Sequence, residues 1–294
     1  MSLKFQGVGQ LRTTLNNLKK NEAEIRKHIW QRLKNPRGHT TPAFLVGNVR
    51  SGTSMIVYHL AKSWQVNLYN EDHPAAFLYW RLRDFSVIDE LLEKSYAPVT
   101  LFKPILDTYK TPNLLEKYPN AKVLFSFRHY HDVINSTRKR FYNKYGLYTP
   151  SKKVPDHDTR DPLTLWVAND FAEFSQAPIP DETKRIIKDM WHPALGIDSN
   201  IALRWLFINR LYFDLNLYQD PRVKIIHYET IVAEPEKEFQ SLFQFLGLKY
   251  EPHVIEGVFS TSVGKNTPPN IAPEIREQCE ALLQQLLQQA QQTP

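Results

Sequence analysis

The chain has 294 residues, of which 42 % are hydrophobic and 23 % charged, a composition typical of a globular protein. Its net charge of +6 suits a polyanionic ligand, but it is too small to indicate a nucleic-acid-binding protein. A single cysteine, Cys279, excludes an intramolecular disulfide and favours a reducing compartment. The chain contains neither a signal-peptide core nor a run of about 18 apolar residues, so we predict a cytoplasmic protein without a membrane-spanning segment.

The N-terminal part, 1–40, is predicted to form a helical extension. Residues 9–34 carry leucine and isoleucine at helical spacing among many basic side chains, the pattern of an amphipathic helix. We expect this helix to lie on the domain with a solvated basic face. Contact of that face with an acidic membrane or a partner is the alternative interpretation.

Apolar runs that suit buried strands alternate with helical segments along the chain. The runs are 43–46, 65–70, 98–104, 121–128 and 222–229. Such alternation indicates βαβ units, and we predict a single domain over 1–294 with a three-layer α/β/α architecture and a central parallel sheet. Residues 75–95 are predicted to be helical, and 141–205 to form a mostly helical insertion.

The first strand leads through a glycine-bearing loop into a helix. Gly47 and Gly52 match the glycine spacing of the loop that binds ATP or GTP phosphates. Thr53 stands where that motif has lysine, Ser54 follows it, and Arg50 supplies a cation inside the loop. The free N–H groups at the start of the helix favour an anionic ligand.

Polar side chains follow the predicted strands at their carboxyl ends, where ligands bind in parallel α/β sheets. Glu71, Lys103, Arg128 and Tyr228 each lie at or just past such an end. The strand before Arg128 does not end in the aspartate that holds Mg²⁺ in nucleoside triphosphatases, so we expect no metal. A nucleotide-dependent kinase with a variant phosphate loop and a non-catalytic nucleotide-binding domain remain alternatives.

Three motifs, in this order, resemble those of the sulfotransferases that use 3′-phosphoadenosine-5′-phosphosulfate (PAPS). Residues 50–54, Arg-Ser-Gly-Thr-Ser, resemble the family's 5′-phosphosulfate loop. Arg128, followed eight positions later by Ser136, resembles the 3′-phosphate motif, and 228–248 resembles a later strand–helix block. The resemblance covers about 42–289. It implies a P-loop-like sulfotransferase fold and transfer of a sulfonate to a hydroxyl or amine, with adenosine 3′,5′-bisphosphate (PAP) as the leaving group.

The resemblance also implies roles for individual residues. Lys103 precedes Arg128 by 25 residues and Glu71 follows Arg50 by 21, spacings similar to those of the tyrosylprotein-sulfotransferase-like branch. Arg50 and Lys103 are thereby expected to stabilise the leaving group. The base stays open between Glu71 and His73, with Asp72 third. The residues expected to bind PAPS are Arg50, Ser51, Gly52, Thr53, Ser54, Arg128, Ser136, Tyr228, Ser262 and Lys265.

The predicted insertion, 141–205, is expected to lie on the acceptor side and to determine acceptor specificity. A small molecule, a carbohydrate, a lipid and a peptide all fit the predicted site, and a homodimer is compatible with the sequence. We expect no nucleic-acid partner.

Overall fold

The computed structural model describes residues 22–143, 179–192, 194–259, 264 and 267–292. The strands are β1 (Thr41–Gly47), β2 (Val66–Tyr69), β3 (Phe77–Leu78), β4 (Arg81–Leu82), β5 (Val99–Phe102), β6 (Lys122–Phe127) and β7 (Val223–His227). The helices are α1 (22–34), α2 (Thr53–Ala61), α3 (Phe85–Lys94), α4 (Thr111–Lys117), α5 (Tyr130–Thr137), α6 (Asp181–Met190), α7 (Ile197–Asp214), α8 (Tyr228–Ala233), α9 (Pro235–Phe245) and α10 (Pro273–Gln292).

Five of the strands form one parallel sheet in the order β2–β5–β1–β6–β7. Each of the five predicted apolar runs supplies one of these strands, so the predicted fold class is confirmed. Because all five strands are parallel, their carboxyl ends meet at one edge, which we call the carboxyl edge. The opposite edge, where the strands begin, is the amino edge.

The sheet separates two apolar cores because successive side chains of a strand point to opposite faces. In β1, Phe44 and Val46 join one core, which also contains residues of α5, α7 and α10. Ala43 and Leu45 join the other core, with residues of α2 and α9. Burial of a side chain such as Phe44 contributes about 1.5–3 kcal/mol. The alternating burial of β1 therefore holds the sheet between two helical layers.

Residues 77–82 form a hairpin, so the prediction of a continuous helix over 75–95 is wrong in its first half. β3 and β4 pair antiparallel, and α3 begins only at Phe85. The turn holds Tyr79 and Trp80 at positive φ, 52° and 62°. The buried carboxylate of Asp107 accepts a hydrogen bond from the backbone N–H of Leu82 at 2.8 Å. A contact between segments 25 residues apart thus overrides the local helical pattern.

The helical layers include parts of the predicted extension and insertion. α1 covers the described part of the extension, and α6 and α7 lie in or beyond the predicted insertion, of which 144–178 fall outside the described residues. The expected boundary at 205 lies within the continuous helix α7. Among the described helices, none combines the length and the apolar character needed to cross a membrane.

Candidate active site

The glycine-bearing loop between β1 and α2, which runs from Gly47 to Gly52, is called the phosphate-type loop below. It begins where β1 and β6 come into close contact. Gly47 has φ +123°, and a Cβ there would lie 2.2 Å from the carbonyl oxygen of Ser126. The N–H of Gly47 donates to the hydroxyl of the buried Thr108 at 3.0 Å. Only glycine fits this position, because any side chain would collide with the backbone of the neighbouring strand.

The loop ends at Gly52, which packs directly against the ring of Tyr228. Gly52 has φ +78°, and a Cβ there would lie 1.9 Å from Cδ2 of Tyr228. Tyr228 is buried and begins α8 at the carboxyl end of β7. Its ring also lies under the guanidinium of Arg128, 4.4 Å from the ring centroid. Tyr228, predicted as a cofactor-binding residue, thus joins the loop to Arg128.

Ser51 lies at the centre of the loop with its side chain fully buried (0 % exposed). Its carbonyl oxygen accepts a hydrogen bond from Ser126 Oγ at 2.8 Å, which fixes the loop on β6. Its own hydroxyl has no hydrogen-bond partner within the described part of the chain. A buried polar atom is normally satisfied, so this hydroxyl fits a site that binds a further polar or anionic group.

Lys103 connects the loop to the candidate base. Its side chain is 0 % exposed, and Nζ donates to Ser54 Oγ at 2.8 Å and to Glu71 Oε1 at 2.9 Å. Burial lowers the pKa of Lys103, and the neighbouring Glu71 carboxylate opposes this shift. Three predicted residues from three segments, after β1, β2 and β5, are thus joined by direct hydrogen bonds.

The alternatives to Glu71 as base have other contacts. Asp72 is exposed and accepts a hydrogen bond from Asn70 Nδ2 at 2.8 Å. His73 is exposed, and its Nδ1 accepts the backbone N–H of Ala75 at 3.3 Å. Both side chains lie near Glu71 in sequence, but their hydrogen bonds lie within their own turn.

Arg50 and Ser136 contact each other, which brings the two predicted nucleotide-binding motifs together. Arg50 Nε donates to Ser136 Oγ at 3.0 Å, whereas the sequence suggested a pairing of Ser136 with Arg128. Burial lowers the pKa of Arg50, and repulsion by Arg140 and Arg128 adds to the effect. Several cations therefore converge where Arg50 lies, an arrangement that an anionic ligand would stabilise.

Arg128 is buried at the end of β6 between two carboxylates. One terminal nitrogen donates to Asp132 Oδ2 at 3.0 Å, and Nε lies 3.8 Å from Glu229 Oε1. Glu229 also accepts the backbone N–H of His129 at 3.1 Å and lies 2.8 Å from His227 Nε2. Burial raises the pKa of Glu229, but the contacts with His227 and His129 outweigh it and lower the pKa. Glu229 thus remains a carboxylate that orients Arg128.

Gly264 belongs to the segment 260–265, which we call the late loop, and contacts Asp132 beside Arg128. The backbone N–H of Gly264 donates to Asp132 Oδ2 at 3.2 Å, the same oxygen that Arg128 contacts. Ser262 and Lys265, predicted as nucleotide contacts, lie outside the described residues. Gly264, the described residue between them, lies beside α5 at the carboxyl edge.

Sequence reasoning missed the contribution of α7. Arg204 is buried, and one of its terminal nitrogens donates to Asn48 Oδ1 in the loop at 2.7 Å. The neighbouring Trp205 donates from Nε1 to the carbonyl oxygen of Arg128 at 2.8 Å. An arginine inside an otherwise apolar helical run, 201–207, was the signal that could have found it. A charged side chain in such a run needs a buried polar partner.

The site therefore combines an anion-binding loop with buried cations and a carboxylate. Gly47 and Gly52 let the loop pack closely against Ser126 and Tyr228, and the N–H groups at the start of α2 favour an anion. A search of the described residues finds no cluster of histidine, cysteine, aspartate and glutamate that could hold a metal ion. The arrangement suits the binding of an anionic nucleotide and the stabilisation of negative charge by side chains.

Comparisons with known proteins place the chain in a family. A family model described as a sulfotransferase domain matches residues 40–281. A comparison with curated proteins finds no match.

Solved structures of sulfotransferases are similar to the chain at low identity. One is a sulfotransferase from Alicyclobacillus acidocaldarius, with 16 % identity and a TM-score of 0.46 over 85 % of this chain and 94 % of that chain. Another is mouse sulfotransferase SULT7A1 complexed with PAP, with 14 % identity and a TM-score of 0.47 over 86 % of each chain. A third is sulfotransferase STF1 from Mycobacterium tuberculosis H37Rv, with 11 % identity and a TM-score of 0.46 over 82 % of this chain and 77 % of that chain.

Proposed function

Because this chain belongs to the sulfotransferase domain family, we propose that the site at its carboxyl edge transfers a sulfonate from PAPS to a hydroxyl or amine of an acceptor. The family uses PAPS as its donor, which agrees with the enzyme class that the motifs predict. The observation that carries the assignment to this site is the hydrogen-bonded series Ser54–Lys103–Glu71. It joins the loop, a buried cation and a candidate base.

The residues of the loop fit the 5′ end of PAPS. The hydroxyl of Ser51 is buried and has no partner in the described chain, and a side chain at Gly52 would fill the space that Tyr228 occupies. Ser51, Gly52, Thr53 and Ser54 would hold the phosphosulfate with the N–H groups at the start of α2. When bound, PAPS supplies the sulfonate and a bisphosphate leaving group.

Lys103 and Arg50 provide the positive charge that the transfer needs. Charge that develops on a leaving oxygen is stabilised best by fixed donors in a site that excludes water. Lys103 is fully buried and held by two partners, so its Nζ needs little reorganisation. Loss of one such donor typically costs about 10²–10³ in turnover.

Glu71 is the base that we propose. It would accept the proton of the acceptor at a carboxylate oxygen while the acceptor attacks the sulfonate. Its contact with Lys103 supports this choice over His73 and Asp72, whose hydrogen bonds lie within their own turn. The nucleophile belongs to the acceptor, so no enzyme nucleophile is required.

Arg128 is the residue that we propose for the 3′-phosphate. Tyr228 and Glu229 orient its guanidinium, and Asp132 links it to the late loop. Guanidinium groups bind phosphate through several charge-assisted hydrogen bonds. Ser136, Ser262 and Lys265 complete the proposed set, and Ser136 accepts a hydrogen bond from Arg50.

Calorimetric titration with PAP and with adenosine 5′-monophosphate tests this assignment. We expect the wild type to prefer PAP, because only PAP carries a 3′-phosphate. Arg128→Gln should remove that preference by weakening PAP binding by about 1.5–3 kcal/mol, the usual value of a hydrogen bond to a charged group. Ser51→Ala should weaken both ligands to a similar extent.

The control is Arg222→Gln. Arg222 is also paired with a carboxylate, Asp220 at 2.7 Å, but it precedes β7 at the amino edge. Its substitution should leave the preference for PAP intact. A wild type that binds neither ligand would contradict the proposed function, and an unchanged preference in Arg128→Gln would contradict the role of Arg128.

A further inference from the structure

Helix α1 is attached to the domain by polar side chains. Lys27 Nζ donates to the carbonyl oxygens of Ala61 at 3.3 Å and Val66 at 2.5 Å. Gln31 is buried, and its Nε2 donates to the carbonyl oxygen of Trp64 at 2.8 Å. These partners lie around the connection from α2 to β2. Trp30 also contacts Trp64, with ring centroids 6.2 Å apart, so the docked side of α1 combines two polar side chains with one aromatic ring and contains none of its large aliphatic side chains.

The apolar side chains of α1 face solvent instead. Ile25, Ile29 and Leu33 are 60 %, 53 % and 78 % exposed. They are spaced by four residues and so lie along one side of the helix. Three large aliphatic side chains exposed in one row often mark a site that binds a partner protein or a membrane.

Positive charge is concentrated in the same part of the chain. Residues 1–37 contain nine lysines and arginines and two glutamates, a net charge of +7, so the remaining residues together carry −1. In α1 and just after it, Arg26, Arg32, Lys34 and Arg37 are exposed. Within the described residues 22–37, five lysines and arginines and two glutamates give a net charge of +3, so the exposed apolar row lies in a basic part of the structure.

We propose that α1 docks the enzyme on an anionic lipid surface. A second copy of the chain would cover the apolar row, but it would bring together two segments 1–37, each with a net charge of +7, which repel each other. A nucleic acid would neutralise the charge, but it would leave Ile25, Ile29 and Leu33 in water. An anionic bilayer satisfies both features, because helices of this type bury an apolar side at the acyl boundary while basic side chains meet the headgroups.

The docked helix lies at the amino edge of the sheet. Its partners Ala61, Trp64 and Val66 lie between the end of α2 and the start of β2. The phosphate-type loop lies at the other end of α2, at the carboxyl edge. Lipid binding and nucleotide binding therefore use opposite edges of the domain, so the bilayer does not cover the site.

Vesicle flotation with the full chain tests this proposal. We expect binding to vesicles of phosphatidylcholine with one quarter phosphatidylserine, and little binding to phosphatidylcholine alone. Arg26→Gln/Arg32→Gln/Lys34→Gln should lower the partition coefficient on the order of 100-fold, from about 1 kcal/mol for each cation near the surface. Ile25→Gln/Ile29→Gln/Leu33→Gln should lower it by at least about 10-fold.

The matched control is Ile197→Gln, since Ile197 is an aliphatic residue, 42 % exposed, at the start of α7, which packs on the face of the sheet opposite to α2. It should float like the wild type, and thermal unfolding should show that every variant is folded. Equal binding to both vesicle types, or unchanged binding of the Ile25/Ile29/Leu33 variant, would overturn the proposal. Dimerisation that this variant abolishes, or duplex DNA binding without vesicle binding, would overturn it too. PAP binding is measured separately, so its loss would bear on the proposed function alone.

Discussion

Replacement of Gly52 by alanine should destabilise the protein and weaken nucleotide binding. The new Cβ would lie 1.9 Å from the ring of Tyr228, and the residue would keep φ near +78°. The positive φ costs a residue with a Cβ about 1–2 kcal/mol. The collision inside a packed region adds about 1–3 kcal/mol. We therefore expect a loss of about 2–5 kcal/mol in the free energy of unfolding.

Gly247→Ala provides a matched comparison. Gly247 has φ +70°, and a Cβ there would have no neighbour within 4 Å among the described residues. Its substitution should cost only the conformational part, about 1–2 kcal/mol. Urea unfolding of both variants measures the difference between their free energies of unfolding. In a Tyr228→Ala background, the cost of Gly52→Ala should fall to that of Gly247→Ala, because the ring is gone.

The same variants report on the loop when titrated with PAP. Displacement of the ring or of the loop would move the N–H groups at the start of α2, so Gly52→Ala should bind PAP more weakly than Gly247→Ala. Equal unfolding free energies for the two alanine variants would refute the reasoning. So would a cost of Gly52→Ala that does not change when Tyr228 is removed.

Three further predictions concern catalysis and the hairpin. Glu71→Gln should lower turnover by at least about 10²-fold while its affinity for PAP is retained, whereas His73→Asn should stay active. Turnover is measured as the release of PAP from PAPS in the presence of a panel of phenols and amines. An active Glu71→Gln and an inactive His73→Asn would instead assign the role of base to His73. Burial lowers the pKa of Lys103, so its positive charge is lost at a lower pH than that of an ordinary lysine, and turnover should fall on the alkaline side. A pH profile of Lys103→Arg should lack that fall, and persistence of the fall would assign it to another group. Asp107→Ala should cost about 1–3 kcal/mol, because it removes the buried carboxylate that accepts the backbone N–H of Leu82 and leaves that donor without its acceptor. An unchanged Tm would show that the hairpin does not depend on this carboxylate.

The sequence by itself determined the sheet and the position of the candidate site. Short apolar runs that alternate with helical segments are typical of parallel strands buried on both faces, and a residue that follows such a strand lies at the carboxyl edge. Lys103 and Arg128 were therefore placed correctly at that edge without knowledge of any contact. Gly47 and Gly52 were singled out for the same kind of reason, since a tight loop between strand and helix needs residues without a side chain.

Only the tertiary structure decided which of these side chains meet. Ser136 contacts Arg50 across 86 residues, Arg204 reaches Asn48 across 156, and Asp107 holds a hairpin where the local pattern suggested a helix. Spacing along a strand or helix fixes the side on which a residue lies, but not its partner on another segment.

The same distinction applies to α1. Its helical pattern was readable, but the expectation that it would dock through its apolar side was wrong, because the structure attaches it through Lys27, Gln31 and Trp30. Hydrophobic periodicity predicts that the apolar side of a helix is buried, because apolar surface usually packs in the protein's own core. Here the backbone carbonyls at the end of α2 and the start of β2 need donors, and polar side chains of α1 supply them. The sequence determined the local conformation of α1, and the packing of distant segments decided its orientation.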